Sequence, residues 1–588
     1  MKQHDLYLAL ALMFTSILGF SQDNYNLDLE DFDPTTQKLP TGWFIWGNYE
    51  GVTTELDSNN NRIAKITSDK NGTFGSVVRS IPANFTGDCI ELRGKIKFEN
   101  VKSYVGLIMR IDGIPTKKHL AFENMYSQQI QGTRDWQEYS IKLPLPKHAR
   151  TIYVGGILGT EGTAWFDDFE VFVDGKNIEI LEQTPKTELT KLDEKEFLKA
   201  LDEASTAIKT DTEEKLSSSL DALIQSLSNK KIVALGESTH GTAEYYKLRS
   251  LITKRLIEEK GFNMIILENP YDAVERLDDQ LNEQDLDSLM RKNLFPIYQT
   301  EEMKSFLEWY AANSDKFDLD FKGCDDSFYI SYELLEEELS DVADTETQKI
   351  LKKIKKQFDK EGKNFRKEIK LNSSNYDLIL ELEKHLKATN ASTSEVSDLL
   401  FNIKNTYSNY KLLQDRKPIQ SRDQVMADRI SYFAKNPDAK IIVWAHDAHI
   451  SNYVIADGEI GIMGRDLKSE YGNDYHAVGF STLEGSYSYM DEKYINTSPN
   501  YTQILKQGSI KNSNELLWEE LLAKNGNAFY MDLSALNKEL NNKVILGSTK
   551  LIGYNLEDET SVYYVPFLDL YDTLIFLKET SATSPLFN

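Results

Sequence analysis

Apolar and polar positions change rhythm about a third of the way along the chain. From Asn26 to about Leu181, short apolar stretches recur between turns. Glu91 to Phe98 alternates, Tyr104 to Ile111 is a strand, and Trp136 to Leu143, Thr151 to Leu158 and Thr163 to Val173 follow; Gly47 to Asn60 is mostly turn-rich. Short strands at regular spacing, with Gly, Asn and Asp between them, predict an all-β sandwich. Pro185 to Lys195 is charged and reads as a link. Glu196 to Ser228 predicts two amphipathic helices, with Phe197, Leu201, Ala204 and Ile208 at helical spacing.

Beyond that point strands and helices alternate. Lys231 to Leu235 is a short apolar run, Ala243 to Lys260 has helical periodicity closed by Gly261, and Asn263 to Leu267 is a second run. This is a βαβ unit, and its parallel strands require a sheet covered by helices. Further buried strands are expected at Leu319 to Gly323, Lys440 to Trp444, Tyr475 to Ser481 and Asp572 to Phe576. Between Tyr329 and Lys411 a long charged stretch keeps helical periodicity with Asn and Ser breaks, a helical subdomain (about 329–411) whose Lys and Glu runs form a solvated face.

The first residues follow a third pattern. Lys2 precedes the apolar run Leu6 to Phe20, and Gly19-Phe20-Ser21 stands just before Gln22. A positive start, a short hydrophobic core and small residues at the cut predict a signal peptide over 1–21, cleaved near Ser21. The run falls short of the ~20 residues of a spanning helix, no cysteine lies nearby to carry a lipid, and no later segment is apolar for long enough. The mature chain is expected to lack a membrane span and to be secreted, periplasmic or at the cell surface. Its plan is a sandwich over 22–181, a linker over 182–195 and an α/β domain with a mainly parallel sheet over 196–588.

Composition changes this picture little. A chain of 588 residues is too long for one hydrophobic core, in keeping with several domains. The net charge of −26 is spread along the sequence, which argues against nucleic acid as a partner. Cys89 and Cys324 fall in different predicted domains and are expected to be free core residues rather than a disulfide framework.

The candidate chemistry collects at strand ends, where open α/β sheets bind ligands. The first strand ends in Gly236-Glu237-Ser238-Thr239-His240-Gly241, the second in Glu268-Asn269, the third in Gly323-Cys324-Asp325-Asp326, and the fourth in His446-Asp447-Ala448-His449. Of eight histidines, three stand at these ends beside two glutamates, a combination that favours a site over isolated structural residues. His119 and His148 belong to the sandwich, His385 sits on a charged helix, and His476, which begins a strand rather than ending one, reads as structural. Gly236-Glu-Ser238-Thr resembles the start of a nucleophile elbow, but His240 stands where the second glycine is needed, so Ser238 is a weak nucleophile candidate. A divalent metal is the other alternative: His446 and His449 could share zinc or manganese with His240 and Glu237. No other cofactor is expected.

At these residues a family resemblance becomes specific. Leu235-Gly-Glu-Ser-Thr-His-Gly-Thr-Ala-Glu-Tyr-Tyr-Lys-Leu-Arg249 resembles the opening motif of the erythromycin esterases, and Phe262-Asn-Met-Ile-Ile-Leu-Glu268 their second strand. Arg422-Asp423 with Met426-Ala427, Val443-Trp-Ala-His-Asp-Ala-His449, Ala477-Val-Gly-Phe480 with Gly485, and Tyr571-Asp-Thr-Leu-Ile-Phe576 are similar to the later motifs, in order. In the first domain, Leu39-Pro-Thr-Gly-Trp43, Arg134-Asp-Trp-Gln-Glu-Tyr139 and Gly162-Thr-Ala-Trp-Phe-Asp-Asp168 resemble jelly-roll carbohydrate-binding domains. Trp136 and Trp165 are expected in the sandwich core, Trp46 is the better sugar-stacking candidate, and glycan contact through this domain is open.

The resemblance implies hydrolysis of an ester or macrolactone by an activated water, without an acyl-enzyme, and leaves an antibiotic-resistance role open. His240 suits the general base, since an imidazole of pKa ~6.5 takes a proton near neutrality. Glu237 or Glu268 would hold its ring, and His446 and His449 would donate to the carbonyl oxygen. Arg249, whose position is functional in the family, would pair with a glutamate or assist the oxyanion; Asp325, Arg422 and Asp423 read as supporting residues. The implied partner is a small-molecule ester, lactone or acylated sugar. A metal-dependent hydrolase or peptidase on the same fold, and a non-catalytic glycan- or ligand-binding protein, are the alternatives.

Overall fold

A computed structural model describes residues 25–33, 38–47, 51–69, 74–113, 119–159, 161–184, 186–325, 330–362, 374–415, 417, 419–455, 461–490, 505–510, 515–553 and 561–587. The expected signal peptide lies outside these residues. The chain divides into two compact units, Met1–Lys186 and Thr187–Asn588.

The first unit is an antiparallel sandwich. One sheet runs Trp43–Gly47, Gly75–Pro82, Thr151–Leu158, Val105–Asp112 and His119–Glu123; the other contains Val52–Leu56, Arg62–Ser68, Gly162–Val173, Cys89–Val101 and Gly132–Pro144. Period-two alternation sends Ile90, Leu92, Ile96 and Phe98 into the core. In Gly162–Val173 the register shifts between Asp167 and Glu170, so Phe169, Val171 and Val173 join Ala164 and Phe166 inside instead of flipping outward.

That alternation corrects the placement of the tryptophans. Trp165 sits between the inward residues Ala164 and Phe166, so it lies outside, where its Nε1 donates to Glu55 Oε1 at 2.7 Å and Lys65 and Lys97 flank the ring. Trp136 is likewise only half-buried. The core tryptophan is Trp43, whose ring meets Phe169 at 5.1 Å and whose Nε1 donates to the Asn26 carbonyl at 2.7 Å. Trp46 packs against Tyr153, 4.8 Å between ring centres, in an aromatic cluster with Phe44. Cys89 is half-buried in this unit and Cys324 is buried in the other; both are free.

Among the described residues the second unit is built on a nine-stranded mixed sheet. Eight of its strands are labelled here: β1 (Ser205–Ala207), β2 (Ile232–Leu235), β3 (Met264–Pro270), β4 (Asp320–Asp325), β5 (Ile441–Trp444), β6 (Tyr475–Met490), β7 (Ala528–Asp532) and β8 (Thr573–Thr580). They lie in the order β1-β7-β8-β6-β2-β5-β3-β4. From β8 to β4 all pairs are parallel, whereas β7 and β1 add an antiparallel edge. The central strands are buried on both faces and read as unbroken apolar runs, such as Ile232-Val-Ala-Leu235. Helices cover both faces, among them α1 (Ala243–Lys260), α2 (Arg422–Ala434), the short α3 (Asp447–Ile450) and α4 (Ile462–Tyr471).

Two expected segments differ from the structure. The stretch 182–195 is not a plain tether: Thr187 and Glu188 pair with Ile545 and Leu546, and a helix begins at Glu194. The helical periodicity from Phe197 stops at Ala204, and Ser205–Ala207 pairs with β7 instead of continuing the helix to Ile208. Within 329–411, helices occupy Ser331–Glu338, Thr345–Gly362, Ser374–Thr389 and the start of Ser394–Gln414. They bury Ile350, Ile354, Ile379, Leu382, Leu386 and Leu399, while the lysines at 352, 353, 355 and 356 stay exposed. No helix among the described residues is long and apolar enough to cross a membrane.

Candidate active site

β2, β3, β4 and β5 are adjacent and parallel, so their carboxyl ends lie along one edge of the sheet. Gly236 leaves β2 against Asp447, where a Cβ would come within 1.8 Å of Asp447 Oδ1. Only glycine lets the loop start so close to α3. The next residues form a chain of buried charges. Nδ1 of His240 donates to Glu237 Oε1 at 2.9 Å, and Glu237 Oε2 accepts from Arg249 Nη2 at 3.0 Å. Arg249 projects from α1, fully buried, with its guanidinium 4.6 Å from the centre of the Tyr246 ring and 4.8 Å from that of Trp444. The aromatic faces and the Glu237 carboxylate together replace the water this cation has lost.

A second network spans β3, β4, α2 and α3. Arg422 makes a fork on Asp325, with Nε to Oδ1 at 2.9 Å and Nη2 to Oδ2 at 2.7 Å, and Nη2 also reaches Glu268 Oε1 at 2.9 Å. Glu268 Oε2 accepts from the His446 backbone N–H at 2.8 Å. His449 donates from Nδ1 to Asp423 Oδ1 at 2.7 Å, and its Nε2 stands 3.3 Å from Glu268 Oε1. Burial alone would drive Glu268 toward its neutral form, but the His449 and Arg422 charges outweigh it and hold its pKa well below the usual range. Burial also works against a charged His449. The Glu268 charge and the hydrogen bonds from Asp423 and Glu268 overcome that and push it up to about 10.

His446 behaves in the opposite way. Its Nδ1 accepts from the Ala448 N–H at 3.2 Å and its Nε2 lies 3.2 Å from the Ile552 carbonyl. Burial first, and the neighbouring His240 second, hold its pKa well below the ordinary value.

The networks meet at a cavity of about 530 Å3 lined by His240, Ile419, Gln420, Ser421, Arg422, Asp423, His446, Ala448, His449, Leu551, Gly553 and Tyr563. Most of the residues expected at the site therefore converge, and the structure sorts them. His240, His446 and His449 reach the cavity wall. Glu237 rather than Glu268 holds the His240 ring. Arg249 pairs with Glu237 and is not among the lining residues, which leaves the oxyanion role without support. His446, expected as a donor to a carbonyl oxygen, already gives its Nε2 hydrogen to a backbone carbonyl. Ser238 hydrogen-bonds Tyr245 at 2.9 Å and does not line the cavity. His476 lies at the start of β6, bonded to Thr573.

Arg422 and Asp423, read from sequence as supporting residues, stand in the wall itself. Leu551, Ile552, Gly553, Tyr563 and Ile419 carried no local signal. The Ile552 segment reaches the site only because it pairs alongside Thr239.

A shared metal ion would need lone pairs from His240, His446, His449 and Glu237 pointed at one place. Instead Nδ1 of His240 faces Glu237, Nε2 of His446 faces a carbonyl oxygen and Nδ1 of His449 faces Asp423. Among the described residues no group of three or more His, Cys, Asp or Glu is arranged to hold a metal. With both ring nitrogens of His446 engaged by backbone, the four side chains do not form one ligand set as they stand.

A family model described as erythromycin esterase matches residues 257–580, more than half of the chain. The chain belongs to the erythromycin esterase family. It is 24% identical over 317 residues to an erythromycin esterase type II of Escherichia coli, spanning 46% of this chain and 74% of that protein. Over 258 residues it is 24% identical to a putative hydrolase of Bacillus subtilis, spanning 38% of this chain and 57% of that protein; a second Bacillus subtilis relative is matched over 32% of its length. A solved structure from Bacillus cereus has a TM-score of 0.55 at 19% identity, over 67% of this chain and 99% of that one, a likeness that speaks to the fold. The family match falls wholly within the α/β unit.

Proposed function

We propose that this chain is an exported hydrolase that cleaves an ester or lactone of a small molecule, such as an acylated sugar, with a water activated by His240. The observation that carries the reading is the buried relay Arg249–Glu237–His240, ending at the cavity wall. With Nδ1–H committed to Glu237, the basic nitrogen of His240 is Nε2. It takes a proton from water as the oxygen attacks the carbonyl carbon, and Glu237 stabilises the imidazolium that forms. His449 donates to the oxyanion of the tetrahedral intermediate. Collapse breaks the bond to the leaving oxygen, which takes the proton back from His240, giving acid and alcohol. Family membership and relatives named as an esterase and a putative hydrolase support this class of reaction. The apolar run before Ser21 supports export, and the sandwich supports glycan contact as a means of placing the enzyme.

The test is hydrolysis by purified residues 22–588 on a panel of macrolides, simple lactones and acylated sugars, with and without chelator. Turnover that survives chelator and is lost in His240→Ala is expected. Chelator-sensitive turnover, or an equally active His240→Ala, would overturn the mechanism, and a folded protein inert on every compound would overturn the ester assignment.

A further inference from the structure

We propose that Asp423 is a positioning residue that clamps His449 as a doubly hydrogen-bonded cation, so that a charged donor meets the substrate's carbonyl oxygen. This inference rests on the water-activation reading above and deepens it. Asp423 stands in the first turn of α2 and is buried. Its Oδ1 accepts from His449 Nδ1, while Oδ2 accepts the backbone N–H groups of Gly461, Ile462 and Met463 at 3.1, 3.0 and 3.3 Å. Gly461 takes φ +85°, which turns its amide into this group at the start of α4. The carboxylate is thus anchored by three backbone donors and presents its other oxygen to the imidazole.

The ring's other nitrogen faces Glu268 at 3.3 Å. A neutral imidazole carries one N–H, so a ring with carboxylate oxygens at both nitrogens satisfies both only when protonated. The charges around it agree. Glu268 comes from β3, Asp325 from β4, Arg422 and Asp423 from α2, His446 from the same turn as His449, and His240 from the loop after β2. Three carboxylates stand against one guanidinium, an imbalance that a second cation reduces. Arg422 Nη1, also 3.3 Å from Nε2, is the competing donor to a neutral ring; Asp325 and Glu268 hold the guanidinium through Nε and Nη2, and the titration below separates the two states. When substrate enters, the developing oxyanion shares the Nε2–H that faces Glu268, while Asp423 keeps the ring fixed through Nδ1.

Histidine-selective NMR titration of residues 22–588, with His449→Gln to assign the signal, reads the ring directly. The expected result is one ring that stays protonated to about pH 9, far above the ordinary value of about 6.5. Asp423→Asn is expected to lower that ring's pKa by about 1–3 units and to move the alkaline limb of the kcat profile down by the same interval. KM should stay within roughly twofold, and Asp423→Glu should restore part of the loss. A neutral ring at about pH 9, or an unmoved limb in folded Asp423→Asn, overturns the proposal. Should Asp423→Asn fail to fold, Asp423→Glu decides in its place: a ring pKa and alkaline limb unmoved from wild type overturn the proposal. The ring titration needs no turnover, so an inert enzyme would sink the esterase reading without deciding this one.

Discussion

The rings of His240 and His446 lie 4.6 Å apart but are wired differently. His240 hydrogen-bonds the Glu237 carboxylate through Nδ1, whereas His446 serves backbone at both nitrogens. One carbonyl, that of Ile552, accepts the His240 backbone N–H and the His446 ring, each at 3.2 Å. Identical side chains are thereby given different work. A carboxylate behind an imidazole stabilises the protonated ring that a general base must become, and a backbone amide and carbonyl favour the neutral one.

This difference predicts unequal costs of substitution. His240→Ala should lower kcat/KM by about 10²–10⁴-fold, the usual worth of a general base. His446→Asn should cost about tenfold or less, because it removes one ordinary hydrogen bond beside the reacting centre. Steady-state kinetics on one accepted ester check both, and a larger loss in the His446 variant would reverse the assignment of roles.

Arg249 and Glu237 form a fully buried pair, so removing one partner strands the other's charge. Arg249→Met should destabilise the α/β unit by about 3–5 kcal/mol. Pairing it with Glu237→Gln should recover part of that loss in stability but none in turnover. Urea denaturation of the two variants separates the effects.

Histidines also set opposing pH dependences of stability. His449 is raised to about 10, so its contribution is complete below the unfolded value of about 6.5 and disappears as pH rises toward 10. His476 is lowered to about 4 and His446 lies well below its ordinary value, both through burial. Unfolded chains bind those protons first, so their contribution falls as pH drops from about 6.5. The histidine part of the stability curve should peak near pH 6.5, roughly where an exposed imidazole titrates. Melting temperature against pH checks this, and His476→Gln should flatten the acid side.

In the sandwich, Trp43→Ala should cost about 3–5 kcal/mol because it empties a core site. Trp165→Ala should cost about 1 kcal/mol or less, since the ring lies outside among lysines. Denaturation followed by far-ultraviolet circular dichroism distinguishes them. Equal losses would contradict the inward register of Ala164 and Phe166.

Much of this protein can be read from local pattern. Buried parallel strands are short apolar runs, and they must end at a common edge, so Glu237, His240, Glu268, His446 and His449 could be collected from Gly-Glu-x-x-His, Leu-Glu and His-x-x-His without knowing a single distance. The same logic anticipated the sandwich and the helical stretch after Tyr329. What sequence could not supply is partnership. Which glutamate holds His240, whether Arg249 touches substrate, and that Asp423 rather than a solvent molecule backs His449 depend on contacts between residues far apart in the chain. Arg422 and Asp325, 97 residues apart, make a two-pronged contact. Ile552 reaches His446 across 106 residues. The outward turn of Trp165 follows from alternation, against the general preference of tryptophan for the interior. Periodicity is a property of neighbours along the chain and survives in one dimension; hydrogen-bond pairing and the charge state of a buried ring are decided by what folding brings within about 3 Å, and only the tertiary structure contains that.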